Sequence, residues 1–488
     1  MQHAEVAVPK GRLVASSTKQ RERHTEMKLT PLAVALTIAF GATGNAFAAD
    51  STEVQVLRQQ MENMQKQMAA MQNKLDAMAV APAPAQAQKS ASSNPPLTAN
   101  FGGATATLYG HADLSVDVGR DGTHKVTQVS SNLSYVGIRA TRALGTTGLT
   151  AIAQIETLAN ISSTPTETGG FASRNSFLGL QGGFGKIMLG KTDTPYKRAT
   201  AMMDPFSASV GDYNSIMGNT GGDLRAEFDP RLPHSIFYDS AKFGGFSVNA
   251  LYSPGQKFRN LEGSDKYRFA QGEKVCSGAT PGSSGSTPDA GSLLCNDGAF
   301  TRAVSVAVNY ASGPVLGTVS YERHKGVDRT GDTGGVSSDE SAAKIGLRYD
   351  FGSNQLAGIY EKFYRGGGID PAFNERARSG YYISDVQQLG NGLEAMAAWA
   401  HAGSTPGGPD FGTTNDKANM YAVGLKYHYD KQTSVYLVGA MVKNGPGAHY
   451  ALGAGGHGVP IASPRNDTGD TIAGQNIKAL SVGMQFDF

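Results

Sequence analysis

The chain has 488 residues, 62 of them Gly, with 43 basic against 41 acidic side chains, 40% hydrophobic residues, 8% aromatic residues, two Cys and one Trp. A formal net charge of +2 excludes a dedicated nucleic-acid binder, which needs a basic excess to displace counterions from phosphates, and argues against a strongly anion-selective device. Cys276 and Cys295 cannot form a zinc or redox motif alone, and nearly one Gly in eight residues means a chain that turns often.

Residues 1–26 are highly charged and precede Met27, so they read as an over-extended start, the alternative being a genuine N-terminal extension. Residues 27–48 read as a secretory signal. Lys28 supplies the positive start, Leu32–Phe40 a short apolar core, and Ala46-Phe47-Ala48 the small-x-small end. No other run approaches the ~20 apolar residues of a membrane helix.

In the next segment, 49–80, Val54, Leu57, Met61, Met64, Met68, Met71, Leu75 and Met78 recur at alternating steps of three and four. This is a heptad seam with apolar a and d positions, and Glu53 and Arg58 fall where they can pair between chains. An isolated helix of this length buries nothing, so a short α-helical coiled coil with partner copies is the expected form. The competing reading is an amphipathic helix lying on its own barrel or on a membrane. Residues 81–98, with Ala-Pro repeats and Pro95-Pro96, form an extended linker.

From residue 99 the texture changes to strict alternation. Ala106, Leu108, Gly110, Ala112, Leu114, Val116 and Val118 share one face, and Thr107, Tyr109, His111, Asp113, Ser115 and Asp117 share the other. Leu480, Val482, Met484, Phe486 and Phe488 repeat the pattern at the C-terminus. Runs of this length exceed a typical globular strand. Seven short turns (144–148, 182–185, 242–245, 312–314, 352–354, 389–392, 430–432) alternate with eight longer connections (119–125, 159–172, 192–232, 254–300, 324–340, 365–378, 403–417, 445–475). A soluble sandwich or barrel would hide an apolar core behind short strands. The long strands and unequal connections instead predict an all-β, 16-stranded antiparallel transmembrane β-barrel over 99–488, lipid outside and water inside. With Asp113 and Asp117 turned to lipid, each charge near the midplane would cost up to ~2–4 kcal/mol, somewhat less for acids.

His111, Asp113 and Ser115 superficially suggest hydrolase chemistry, but alternate residues of one strand stand ~7 Å apart, too far for a proton relay. We expect no enzyme, no cofactor and no metal site. Cys276 and Cys295 fall in the fourth long connection. A disulfide there would contribute about 3 kcal/mol in the chain-entropy model, the alternative being two free thiols.

Thr107-Leu108-Tyr109-Gly110, the run Gly182 to Lys191, the strand pair meeting at Tyr429 to Tyr436, and terminal Phe488 resemble the trimeric general-diffusion porins of Gram-negative outer membranes, especially those of beta-proteobacteria. The resemblance implies a homotrimer in contact with lipid and lipopolysaccharide, and passive diffusion of small hydrophilic solutes and ions. It makes Phe488 the assembly signal. The heptad segment resembles the periplasmic extensions of sugar- and phosphate-specific porins, which keeps a substrate-specific channel as an alternative. An adhesin or a tether to the cell wall is another.

By the same resemblance the third long connection, about 192–232, folds into the barrel. Its acids, Asp204 and Asp212 with Asp223, Glu227 and Asp229, would face a basic wall of Arg139, Lys191 and Arg231. Tyr135 stands where many relatives have Arg, which thins the positive ladder and makes selectivity mild. Tyr109, His111, Asp113, Tyr135, Lys344 and Arg348 are expected to line the lumen.

Overall fold

The computed structural model describes residue 66, 97–162, 170–219, 228–254, 256–257, 267–268, 300, 302–328, 337–366, 377–404, 416–458, 460–462 and 472–488. The signal, the linker through Pro96, the eight seam residues, Asp223, Glu227 and both Cys lie outside the described residues, and Lys66 alone of the heptad segment is seen, as helix.

Alternation in the sequence becomes strand wherever it runs. In order these are β1 Thr98–Phe101, β2 Ala104–Arg120, β3 Lys125–Ser131, β4 Tyr135–Ala143, β5 Thr150–Leu158, β6 Ser176–Gly182, β7 Gly185–Asp193, β8 Arg231–Ser240, β9 Phe246–Ser253 and the two-residue pieces β10 Gln256–Lys257 and β11 Tyr267–Arg268. They continue with β12 Arg302–Ser312, β13 Val315–Asp328, β14 Ser337–Phe351, β15 Asn354–Gly366, β16 Ser379–Gly390, β17 Leu393–Ala402, β18 Ala418–His428, β19 Thr433–Asn444 and β20 Ile477–Asp487. β3 and β4 make one crossing interrupted at 132–134, because β3 pairs with Leu114–Arg120 and β4 with Ala104–His111 of the same strand. Setting aside β1 and the β10–β11 pair, the described strands form sixteen antiparallel crossings, as predicted.

Closure occurs on β2. Its second edge is shared by β20, paired with His111–Arg120, and by β1, paired with Ala104–Thr107. Between them Phe488 exchanges both main-chain hydrogen bonds with Gly110, at 2.9 and 3.1 Å. A Cβ on Gly110 would stand 2.3 Å from the Phe488 ring, so only Gly leaves the terminal aromatic its seat. The two chain ends of the barrel therefore meet on one side, together with the seven short turns, all found where the sequence placed them.

The faces follow the predicted parity. Leu114, Val116 and Val118 are 38, 51 and 39% exposed, whereas Asp113, Ser115 and Asp117 are 1, 3 and 0% exposed. Exposed Tyr349, Phe351, Tyr429, Phe486 and Phe488 ring the short-turn end, and exposed Tyr252, Tyr321, Tyr364, Tyr381 and Tyr421 ring the loop end. These are the two aromatic girdles of a membrane barrel, where amphipathic rings sit at the headgroup level. Trp399 lies on the outward face of β17, its indole donating to Asn419 at 3.3 Å, so it is no part of a lumenal ladder.

In one sector the inward face is not polar. Inward Ala398, Ala400 and Ala402 of β17, Ala418 and Ala422 of β18, Ala440 of β19 and Ala479 of β20 are all buried in one apolar cluster. Small side chains there make room for loops that enter the barrel. The outward face, in this sector as in the others, meets hydrocarbon. Val482→Arg, at the middle of β20, is expected to lower stability by about 2–4 kcal/mol, read from denaturant unfolding out of lipid vesicles. Spin labels at Leu114 and Val482 should report lipid; wet labels would overturn the assignment of faces.

Candidate pore constriction

The third long loop, L3, leaves β7 at Thr194. Its hydroxyl caps helix α1 (Pro195–Thr200) by accepting from Lys197 N at 3.3 Å, and Pro195 supplies a first-turn φ that suits a helix. Two 3₁₀ turns follow, at Ala201–Met203 and Tyr213–Ser215. The predicted acids belong to this local folding. Asp204 accepts from Phe206 N at 3.0 Å, Tyr213 N at 3.0 Å and Tyr382 Oη at 2.8 Å. Asp212 accepts from Ala208 N at 2.6 Å and Asn214 N at 2.8 Å. Both are buried, so they brace the loop where the resemblance implied an acidic row facing the wall. Burial, reinforced by the neighbouring Asp212 carboxylate, pushes Asp204 above the usual carboxylate range, and burial pushes Asp212 the same way. The folded loop therefore holds protons more tightly than the unfolded one, and its docking weakens as pH rises through the raised values.

Charges on the wall anchor the loop. Lys344, expected to line the lumen, points inward but is covered by L3. Its Nζ meets Asp229 Oδ1 at 2.8 Å and sits 3.9 Å from the Tyr196 ring centroid. Asp229 also accepts from Tyr213 Oη and Asn214 Nδ2, each at 2.9 Å. Glu361 accepts from Tyr196 Oη at 3.2 Å and Gly218 N at 3.0 Å, and Arg378 reaches it at 3.5 Å while donating to the carbonyls of Ile216 and Asn219. Arg348 donates to Met202 O at 3.1 Å and to Asp350 at 2.9 Å. Glu361 and Arg378 escape sequence reading, because nothing in strand periodicity marks which inward charge meets a loop.

The three cations expected on the wall are each engaged by neighbours. Exposed Arg139 donates to Gln154 at 3.1 Å and stacks 3.9 Å over the Tyr109 ring. Tyr109 Oη donates to Glu156 at 2.9 Å, and the other Glu156 oxygen holds Arg174 Nε at 2.7 Å. Arg174 then lies 4.5 Å over Tyr135, which also meets the stacked His111 ring at 5.7 Å and the edge of Tyr109 at 6.2 Å. Thus Arg174, from the end of the second long loop, brings a guanidinium to the Tyr135 ring. Sequence reading missed it because the two residues are 39 positions apart. Arg231 is buried against Asp193 at 2.9 Å and Asn175 at 2.9 Å, and Lys191 donates to Ser173 O at 3.1 Å. His111 bonds Asp487 at 2.7 Å, Asp113 accepts from Tyr436 at 2.8 Å and Ser115 donates to Asp117 at 2.9 Å, three separate partners that form no relay.

Beneath the L3 tip, residues 204–209, a cavity of about 520 Å³ opens to the short-turn side. Arg174, Tyr135 and His111 line it, and from the facing strands so do Gln388, Glu394, Lys426 and Gln485. Glu394 is engaged by Gln388 at 2.7 Å and His428 at 3.4 Å.

The sequence profile described as Gram-negative porin matches residues 75–448. The chain belongs to the Gram-negative porin family. This porin is 28% identical over 356 residues to the major outer membrane protein P.IB of Neisseria sicca, covering 70% of this chain and 90% of that protein. It is 22% identical over 331 residues to an outer membrane porin of Bordetella pertussis, covering 64% and 77%. Among solved structures it shares the fold of an anion-selective porin from Comamonas acidovorans, with a TM-score of 0.59, 22% identity, and coverage of 79% and 100%. Its place is the outer membrane, and the barrel is a transport fold with no catalytic task.

Two outcomes test the anchoring. Lys344→Met leaves Asp229 buried without its cation and should destabilise the loop or the barrel by about 3–5 kcal/mol, with much of this recovered by adding Asp229→Leu, both read by thermal unfolding. Protease cutting within L3 should increase from mildly acidic to mildly alkaline buffer in the native porin and change less in Asp204→Asn.

Proposed function

We propose that this porin is a water-filled diffusion channel for small hydrophilic solutes with a mild preference for anions. The observation that carries this reading is how charge is disposed around the constriction. Among the described residues, the L3 acids Asp204 and Asp212 are buried and take up hydrogen bonds from their own loop and from Tyr382, and at the cavity that Asp204 edges, Lys426 and the Glu156-paired Arg174 also form the lining. The Lys426 side chain has no ionic or hydrogen-bond partner among the described residues, and its cross-strand neighbour Glu394 is already engaged by Gln388 and His428. Exposed Arg139 adds positive potential nearer the short-turn mouth. In a narrow passage with low-dielectric walls this potential raises the local concentration of anions and orders water, which apolar solutes must displace.

A sugar-specific channel is less well supported. The inward aromatics Tyr109 and Tyr135 already carry Arg139 and Arg174 on their faces, and Trp399 points outward. The adhesin or tether reading requires a lumen that does not conduct. Around the channel, the reading includes assembly as a homotrimer in contact with lipopolysaccharide, residues 27–48 as export signal, and residues 49–80 as a periplasmic coiled coil joined to the 99–488 barrel by the 81–98 linker. In that coiled coil the Met-rich seam meets partner copies and could reach the cell wall.

Reversal potentials in a salt gradient across a planar bilayer test the proposal. The native porin is expected to pass chloride in preference to potassium. Arg174→Ser and Lys426→Ser are each expected to lower that ratio, and together to bring it to unity or below. Cation preference in the native channel would overturn the reading, and absence of conductance would favour the tether.

A further inference from the structure

The eighth long loop, L8, joins β19 to β20 and reads in sequence as a Gly-rich surface connection. Yet Tyr450, Leu452, Ala454, His457 and Ile461 are all buried, Leu452 completely. Leu452 and Ile461 form an antiparallel bridge that folds this part of the loop into a hairpin. Tyr450, Leu452 and Ile461 belong to the same apolar cluster as Ile216 and Met217 of L3 and the inward alanines of β17–β20. The hairpin is therefore inside the barrel, seated on L3.

Polar contacts fix it on two sides. Gly453 N donates to Ser215 Oγ of L3 at 3.0 Å, and a Cβ on Gly455 would stand 2.0 Å from the Asp212 carboxylate, so the backbone lies directly on the L3 tip. On the wall, Gly458 N donates to Asn132 Oδ1 at 3.0 Å, at the interruption between β3 and β4. His457 Nε2 meets Asp117 Oδ2 of β2 at 3.2 Å, with both side chains fully buried. Asp117 is oriented by the hydroxyls of Ser115, Ser130 and Ser481 at 2.9, 2.7 and 2.6 Å. The His457–Asp117 contact joins L8 to the wall inside the barrel, and removing either side chain leaves the other buried without it.

We propose that L8 is a second constriction of this porin, and that the His457–Asp117 clamp sets the size limit for solutes arriving from the loop side. L3 limits the passage at its tip. L8, held between that tip and the β2–β3 wall, narrows the loop-side half, so a solute must clear both. This rests on the barrel being a passage.

The experiment uses the full-length porin in planar bilayers, with single-channel conductance and the largest polyethylene glycol admitted from each side. His457→Ala and Asp117→Asn are expected to raise conductance and to admit larger polymers from the loop side alone. The double variant should do no more than either single one, because both break the same clamp. Deletion of 449–461, which leaves the strands intact, should widen the loop side at least as much and serves if the point variants do not assemble. Folded variants with native conductance and native polymer limits would overturn the proposal, as would widening equal from both sides. A native porin that does not conduct at all would instead overturn the channel reading on which this one stands.

Discussion

Everything in this barrel depends on one constraint, that a strand in hydrocarbon must have both edges hydrogen-bonded within the protein. An open edge on β2 would leave a row of polar backbone groups facing lipid. The chain resolves this by bringing β20 and β1 end to end along that edge, with Phe488 and Gly110 exchanging hydrogen bonds at the junction. The absence of a side chain at Gly110 is what lets the terminal ring lie over the seam. Once the sheet is closed, period-two alternation has only one arrangement of low energy. Aliphatic residues such as Val116 meet lipid, and residues such as Asp117 must turn inward.

Closure produces a cylinder, and the loops determine what passes through it. Their entry required two departures from a uniformly polar lining. Along β17–β20 many inward positions are alanines, small enough to receive Ile216 and Met217 of L3 with Leu452 and Ile461 of L8. Around β13–β16 several inward residues are charged, and Lys344 and Glu361, with Arg378 just before β16, close on groups of L3. The first sector holds the loops by apolar burial and the second by directional bonds. Between them the L3 tip is fixed over a cavity where Asp204 is taken up by hydrogen bonds of its own loop and the Lys426 side chain has no such partner among the described residues. A net charge of +2 over the chain leaves this local asymmetry undetermined, because potential in a narrow passage depends on which charges face it.

The gross architecture was legible because it is written locally. A period of two, the seven short turns and the eight longer connections require knowledge only of neighbours in sequence; the strands meet at all seven turns, while β13 and β14 run on into the expected 324–340 connection, to Asp328 and from Ser337. The inward parity of Tyr109, His111, Asp113, Tyr135, Lys344 and Arg348 was legible for the same reason. Their roles were not. Lys344 and Asp229 are 115 positions apart, Tyr382 and Asp204 are 178 apart, and His457 and Asp117 are 340 apart.

The sequence alone thus determined the number of crossings, the faces they present and the side on which the chain ends meet, since each follows from the hydropathy of adjacent residues and the length of a strand across hydrocarbon. Only the tertiary structure decided that Asp204 and Asp212 brace L3, that Arg174 stands over Tyr135, and that a Gly-rich loop with His457 lies inside the barrel. A polar side chain within a cylinder can meet water, a wall or a returning loop. Which of these it meets is a matter of distance in space, and residues far apart in the chain settle it.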